Sequence, residues 1–121
     1  MKKTVIIGAT PNTARYAYAA AQRLTECQHE IVPVGIKQGE LFGQEILPIR
    51  EHPIISEVDT ITMYIGPRHQ PEYYKYLLNL NPHRIIFNPG SENEEFMALA
   101  KDKGIEVVSG CTLVMLGVGI Y

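Results

Sequence analysis

The run Thr4-Val5-Ile6-Ile7, turning through Gly8 into Ala9-Thr10-Pro11-Asn12-Thr13-Ala14-Arg15-Tyr16 and then an alanine-rich segment, restricts the fold more than any other feature. Four consecutive β-branched residues read as a strand buried on both faces, as in a parallel sheet. The segment from Ala14 to about Gln28 places Ala17, Ala20, Ala21 and Leu24 at helical spacing. Its small apolar face lets a helix lie close against a sheet. A strand that turns through glycine into a helix aims the helix's free N–H groups at the turn. Such a turn is an anion site, and in α/β proteins the anion is usually a nucleotide phosphate.

Strand and helix signals alternate along the rest of the chain. Strands are predicted at Thr4–Ile7, Glu30–Val34, Thr60–Ile65, Arg84–Phe87 and Ile105–Val108. Between Ile36 and Pro53 the breakers Gly39, Gly43 and Pro48 predict irregular chain, followed by a short helix at Ile54–Glu57. A further helix is predicted at Pro71–Leu80, proline suiting its first turn and Asn81-Pro82 closing it. Ser91-Glu92-Asn93-Glu94 reads as a capping box opening a helix to about Lys103, stopped by Gly104. Gly110-Cys111-Thr112 begins a short apolar tail. The expected architecture is α/β, a Rossmann-like doubly wound, five-stranded parallel sheet with helices on both faces. With 121 residues the chain has enough material for one core, so residues 1–121 are read as a single domain. Loops that follow parallel strands leave at one edge. Gly8–Tyr16, Gly35–Gly43, Gly66–Gln70, Asn88–Glu92 and Gly110–Thr112 are therefore expected to gather there, where α/β proteins bind ligands.

A net charge of −2 gives no basic excess for neutralising phosphates broadly, which argues against nucleic acid and anionic membranes as partners. The apolar run after Lys2 and Lys3 stops at Gly8, short of a signal peptide, and no stretch approaches a membrane span. Two cysteines without CxxC spacing fit a cytoplasmic protein with reduced thiols. The four histidines, His29, His52, His69 and His83, lack metal-ligand spacing, and no nucleophile–base set or G-x-S-x-G elbow occurs. No catalytic or metal-binding residue is nominated.

The identity of the nucleotide depends on small details. In the dinucleotide fingerprint G-x-G-x-x-G, the three glycine positions are held by Gly8, Thr10 and Thr13; the Walker pattern fails at Thr13 and Ala14. NAD enzymes use an acidic residue after the second strand for the ribose hydroxyls. Here Gly35-Ile36-Lys37 stands in that place, and a lysine favours a phosphorylated ribose, as in NADP or coenzyme A. Arg15 lies at the start of a helix, where the dipole disfavours a cation unless an anion is near.

These residues resemble the CoA-binding domain family of small bacterial proteins over nearly the whole chain. The likeness lies in Gly8-Ala9-Thr10-Pro11-Asn12 with Arg15-Tyr16-Ala17, in His29-Glu30-Ile31-Val32-Pro33-Val34-Gly35, and in Gly39-Glu40-Leu41-Phe42-Gly43. Pro89-Gly90-Ser91-Glu92-Asn93-Glu94-Glu95 and Ala100-Lys101-Asp102-Lys103-Gly104-Ile105 complete it. The family is similar in fold to the CoA-binding domain of the succinyl-CoA synthetase α subunit. The resemblance implies coenzyme A or an acyl-CoA as the small-molecule cofactor. It also implies that Gly8, Ala9, Thr10, Asn12 and Arg15 face the phosphates, and that Pro33, Val34 and Lys37 flank the adenosine and its 3′-phosphate. Tyr64, Ile65, Gly66 and Pro67 then lie against the adenine. Two departures stand out. Gln28 replaces the glycine that often ends the first helix, and Ser109-Gly110-Cys111 replaces Gly-Arg-Cys, which removes one anion contact.

The sequence therefore reads as a CoA-binding module with no evident reaction of its own. The alternatives are an NADP-dependent oxidoreductase-like protein, favoured by Lys37, and a protein-interaction module with a vestigial nucleotide site. In the latter, Tyr73, Tyr74 and Tyr76 would offer a surface to a second copy or a partner protein. Cys111 reads as a small apolar residue, or as a thiol placed to meet the thiol end of CoA.

Overall fold

Six strands, every adjacent pair parallel, form the central sheet of the computed structural model, which describes residues 1–121. In chain order the elements are β1 (Thr4–Ile7), α1 (Tyr16–Glu26), β2 (Ile31–Gly35), β3 (Glu40–Leu41), β4 (Gln44–Glu45) and β5 (Leu47–Pro48). They continue with β6 (Thr60–Met63), α2 (Tyr74–Asn79), β7 (Arg84–Phe87), α3 (Glu94–Asp102), β8 (Glu106–Ser109) and α4 (Thr112–Gly117). The sheet order is β5-β2-β1-β6-β7-β8, with β3 and β4 forming a separate hairpin. The chain starts in the middle at β1, winds out to β5, then returns past β1 to build the other half.

The β-branched run explains the central position of β1. Thr4 pairs with Ile31 on one side and Thr60 on the other, and all four β1 residues are fully buried. Alternate side chains feed two layers. Val5, Ile7, Ile61, Met63, Ile85 and Phe87 pack with Leu77 of α2 and with Phe96 and Ala100 of α3. Ile6 and Ile31 pack with Ala17, Ala21 and Leu24 of α1 and with Leu116 of α4. Helices thus cover both faces, and the sheet is doubly wound as the alternation of elements requires.

The differences from the sequence expectation have local physical causes. The sheet has six strands instead of five. Leu47–Pro48 adds an edge strand by pairing with Val34 and Gly35, and proline is tolerated at an edge. A two-residue strand beside a proline has no periodicity to reveal it. The irregular stretch also holds the β3–β4 hairpin, whose turn residues Phe42 (φ 49) and Gly43 (φ 85) both have the positive φ of a two-residue hairpin turn. Ile54–Glu57 is not helical. Left-handed residues stand before it at His52 (φ 48) and at its end, Glu57 (φ 56), and the irregular chain exposes Ile54 while burying Ile55. Helix α1 begins at Tyr16, two residues later than its composition suggests, because Arg15 is extended (φ −95, ψ 147).

Gln28 adopts the left-handed conformation (φ 66) in place of the expected glycine, its N–H donating to the Thr25 carbonyl at 2.9 Å. The capping box is also displaced. Asn93 is the N-cap of α3, its Oδ1 accepting from the Phe96 amide at 3.1 Å, while Ser91 Oγ donates back to the Asn88 carbonyl at 2.7 Å. The apolar tail after Cys111 folds as α4.

Candidate functional site

The chain leaves β1 toward β2 but places β6 on the opposite side, so the loops after β1 and β6 diverge and open a crevice at the carboxyl edge. A cavity of about 740 Å³ occupies that crevice. Two glycines permit it. Gly8 has φ +96, and a Cβ there would stand 3.0 Å from Ile65 Cγ2 and 3.1 Å from the Tyr64 carbonyl carbon. At Gly35 a Cβ would come within 2.6 Å of the Ala9 carbonyl oxygen. The backbones of three loops therefore meet more closely than side chains would allow.

The loop's amides separate those spent on structure from those facing the cavity. Gly8 and Ala9 N–H both donate to the Val34 carbonyl, at 2.9 and 3.1 Å. Asn12 stiffens the turn: its Oδ1 accepts from Ala14 N–H at 3.0 Å and its carbonyl from Arg15 N–H at 3.1 Å. The first α1 amides, on Tyr16 and Ala17, meet no acceptor. Arg15 supplies no side-chain cap, and the first turn carries no acid. Helix α3 is the opposite case, capped by Asn93 and carrying Glu94 and Glu95 in its first turn. Of these two longer helix ends that face the edge, only that of α1 favours an anion.

Side-chain charge agrees. Arg15, Lys37 and Arg50 all line the cavity, with Glu72 as its only carboxylate. None of the three cations is in an ion pair; the protein's pairs are Lys3–Glu30 and Arg23–Glu26. Lys37 and Arg50 each lie two residues past the end of their strand. Gly35 and Pro48, which end those strands, are paired neighbours. Adjacent strands are about 4.8 Å apart, so this pairing delivers both cations to one side of the crevice. Arg50 was not legible beforehand, because its position depends on β5. His69 joins the lining from the turn after β6.

Of the residues nominated from sequence, Gly8, Ala9, Thr10, Arg15, Lys37, Tyr64, Ile65 and Gly66 line this cavity together. Asn12 is exposed and serves the turn, Pro33 and Val34 are buried within β2, and Pro67 opens an exposed turn after β6. Tyr73 is buried in the core. Tyr74 stacks on Phe96 and donates to Glu95, and Tyr76 donates to the Pro53 carbonyl at 2.6 Å. These tyrosines hold the fold together.

A second cavity of about 230 Å³ is lined by Tyr16, Tyr64, Asn88, Pro89, Cys111 and Leu113. It shares Tyr16, Tyr64 and Pro89 with the first, so the two adjoin across those residues. Asn88 closes its inner wall. Its Nδ2 donates to Thr62 Oγ1 (2.7 Å) and the Met63 carbonyl (3.0 Å), and its Oδ1 accepts from Thr112 N–H (2.9 Å). Burial pushes the Tyr64 phenol up to about 12, so it stays protonated at neutral pH. Cys111 is half-buried and unpaired. No three His, Cys, Asp or Glu side chains gather in a way that would hold a metal ion, and no helix is long and apolar enough to cross a membrane.

Comparison with known proteins adds to this geometry. The family model described as CoA binding domain matches residues 2–117. A crystal structure described only as that of an uncharacterized protein is 55% identical, with 100% of this chain and 98% of that chain covered and a TM-score of 0.96. A Thermus thermophilus protein is 22% identical with TM-score 0.84, covering 99% of this chain and 90% of its own. A hypothetical protein from Pyrococcus horikoshii OT3 is 21% identical with TM-score 0.86, covering 98% and 83%. The last two show the shared fold. No curated protein matches the chain.

Proposed function

The chain belongs to the CoA binding domain family, and from that premise we propose that it binds coenzyme A or an acyl-CoA in the crevice between the β1 and β6 loops. The observation that carries the proposal is the convergence of an uncapped, acid-free helix N-terminus with three unpaired cations on one cavity, in a chain of net charge −2. Three of the chain's 11 Lys and Arg residues line this one cavity, at the edge where a nucleotide binds in such sheets.

The arrangement suits a ligand with two separate phosphate groups. The pyrophosphate lies over the free Tyr16 and Ala17 amides beside Arg15, and the ribose 3′-phosphate lies by Lys37 and Arg50. Tyr64, Ile65 and Gly66 form the wall opposite. Phosphate oxygens accept strong charge-assisted hydrogen bonds from such donors. The protein acts as a binding module whose ligand is used or sensed by a partner.

Calorimetric titration with CoA, dephospho-CoA, NADP and NAD in parallel tests this. Micromolar CoA binding, weaker for dephospho-CoA, is the expected result. Binding of NADP without CoA would replace the reading with a reductase-like one, which Lys37 also suits. Binding of none of the four would refute it and move the search to protein partners.

A further inference from the structure

Resting on the CoA reading, we infer that the second cavity receives the thioester end of the ligand and selects a short, uncharged acyl group. A ligand whose pyrophosphate lies at the start of α1 extends in two directions. Lys37 and Arg50, beyond β2 and β5, take its nucleotide end. The remaining direction runs over Tyr64 and Pro89 toward the ends of β7 and β8, where the second cavity lies. The two cavities share Tyr16, Tyr64 and Pro89, so one extended molecule can occupy both.

The lining defines the chemistry of that end. No Lys, Arg or His contributes to the second cavity. Both Asn88 amide hydrogens and its oxygen are already engaged by Thr62, Met63 and Thr112, so its one amide side chain has nothing left to donate. The buried Tyr64 hydroxyl has no partner, so a carboxylate placed there would meet one neutral donor but no cation, and would lose more on leaving water than it gains. A hydrocarbon group would gain by leaving water. Size sets the limit. At roughly 30 Å³ per water-sized atom, about 230 Å³ holds some seven or eight heavy atoms. The terminal mercaptoethylamide uses four of them, leaving room for three or four more, an acetyl or propionyl group.

The experiment is a calorimetric series on the unaltered protein with CoA, acetyl-, propionyl-, butyryl-, octanoyl- and succinyl-CoA. Affinity is expected to rise about fourfold from acetyl to propionyl, the gain for one buried methylene. It should level off from butyryl onward, with succinyl-CoA at least tenfold weaker than propionyl-CoA. Leu113→Trp, which fills the cavity, is expected to bring the propionyl-to-CoA ratio close to one. A flat series with CoA bound, or succinyl-CoA as the tightest ligand, overturns the acyl seat and leaves the CoA reading standing. Failure of every CoA ester and of CoA itself overturns the reading beneath it. A Leu113→Trp protein that melts early is set aside, because the acyl series alone decides.

Discussion

Replacing Asn88 by alanine is expected to cost about 3 kcal/mol of stability, and the figure follows from its contacts. Asn88 is 1% exposed and makes three hydrogen bonds that tie the ends of β6 and β7 to the first residue of α4. At a net value of about 1 kcal/mol each, the three sum to about 3 kcal/mol. Leaving the Thr112 amide and the Met63 carbonyl buried without partners pushes the loss toward the upper side of that range. For a chain of this length, about 4 °C of melting temperature accompanies each kcal/mol, giving a drop of roughly 12 °C. Urea unfolding followed by circular dichroism gives the free energy directly, with the slope expected to stay unchanged. Asn88→Asp is an informative companion. It keeps the acceptor for the Thr112 amide but loses both donors and buries a charge, so it should be no more stable than the alanine variant. A loss below about 1 kcal/mol for Asn88→Ala would refute the argument. It would mean that water or a shift of α4 replaces the three bonds at little cost.

Arg50→Ala should weaken CoA by about tenfold while leaving dephospho-CoA within twofold, the difference being one charge-assisted contact to the 3′-phosphate; equal losses for both ligands would remove Arg50 from that role. Gln28→Gly should raise stability by about 0.5 kcal/mol, because relief of left-handed strain at φ 66 exceeds the entropy glycine adds to the unfolded chain. A lower melting temperature for that variant would show that the Gln28 side chain contributes more than its strain costs. His29 is held below its ordinary 6.5 by burial and by the nearby N-terminal amine, Lys2 and Arg84. Its Nδ1 accepts from Lys2 N–H at 2.9 Å, and its ring packs on Tyr121 at 5.0 Å. The folded state therefore prefers neutral His29. Its contribution is complete above 6.5 and is lost as pH falls from there through the lowered value. Urea melts at about pH 8 and about pH 5 should show that loss, and His29→Gln should reduce it; an equally steep acid loss in the variant would assign the effect elsewhere.

Features carried by neighbours along the chain were legible before any coordinates. Thr4–Ile7 and Arg84–Phe87 have the boundaries expected of them, because a β-branched or apolar run ended by a turn residue is a strand under almost any packing. The glycine turn into an alanine-faced helix located the β1 loop, and with it Arg15 and Thr10 on the cavity wall. Lys37 could be placed because counting from the second strand suffices.

What escaped depends on residues far apart in sequence. The edge strand β5 exists because Val34 and Gly35 offer it a backbone to pair with, and nothing in Leu47-Pro48 declares it. Arg50 acquires its place in the cleft through that pairing. Asn93 displaced Ser91 as the cap of α3 once the Ser91 hydroxyl turned back to Asn88. The second cavity is assembled from the ends of three strands and the start of two helices, so no local pattern could encode its volume or its lack of charge. Short-range periodicity places elements on the chain, whereas pairing and packing in space decide which side chains face a common ligand.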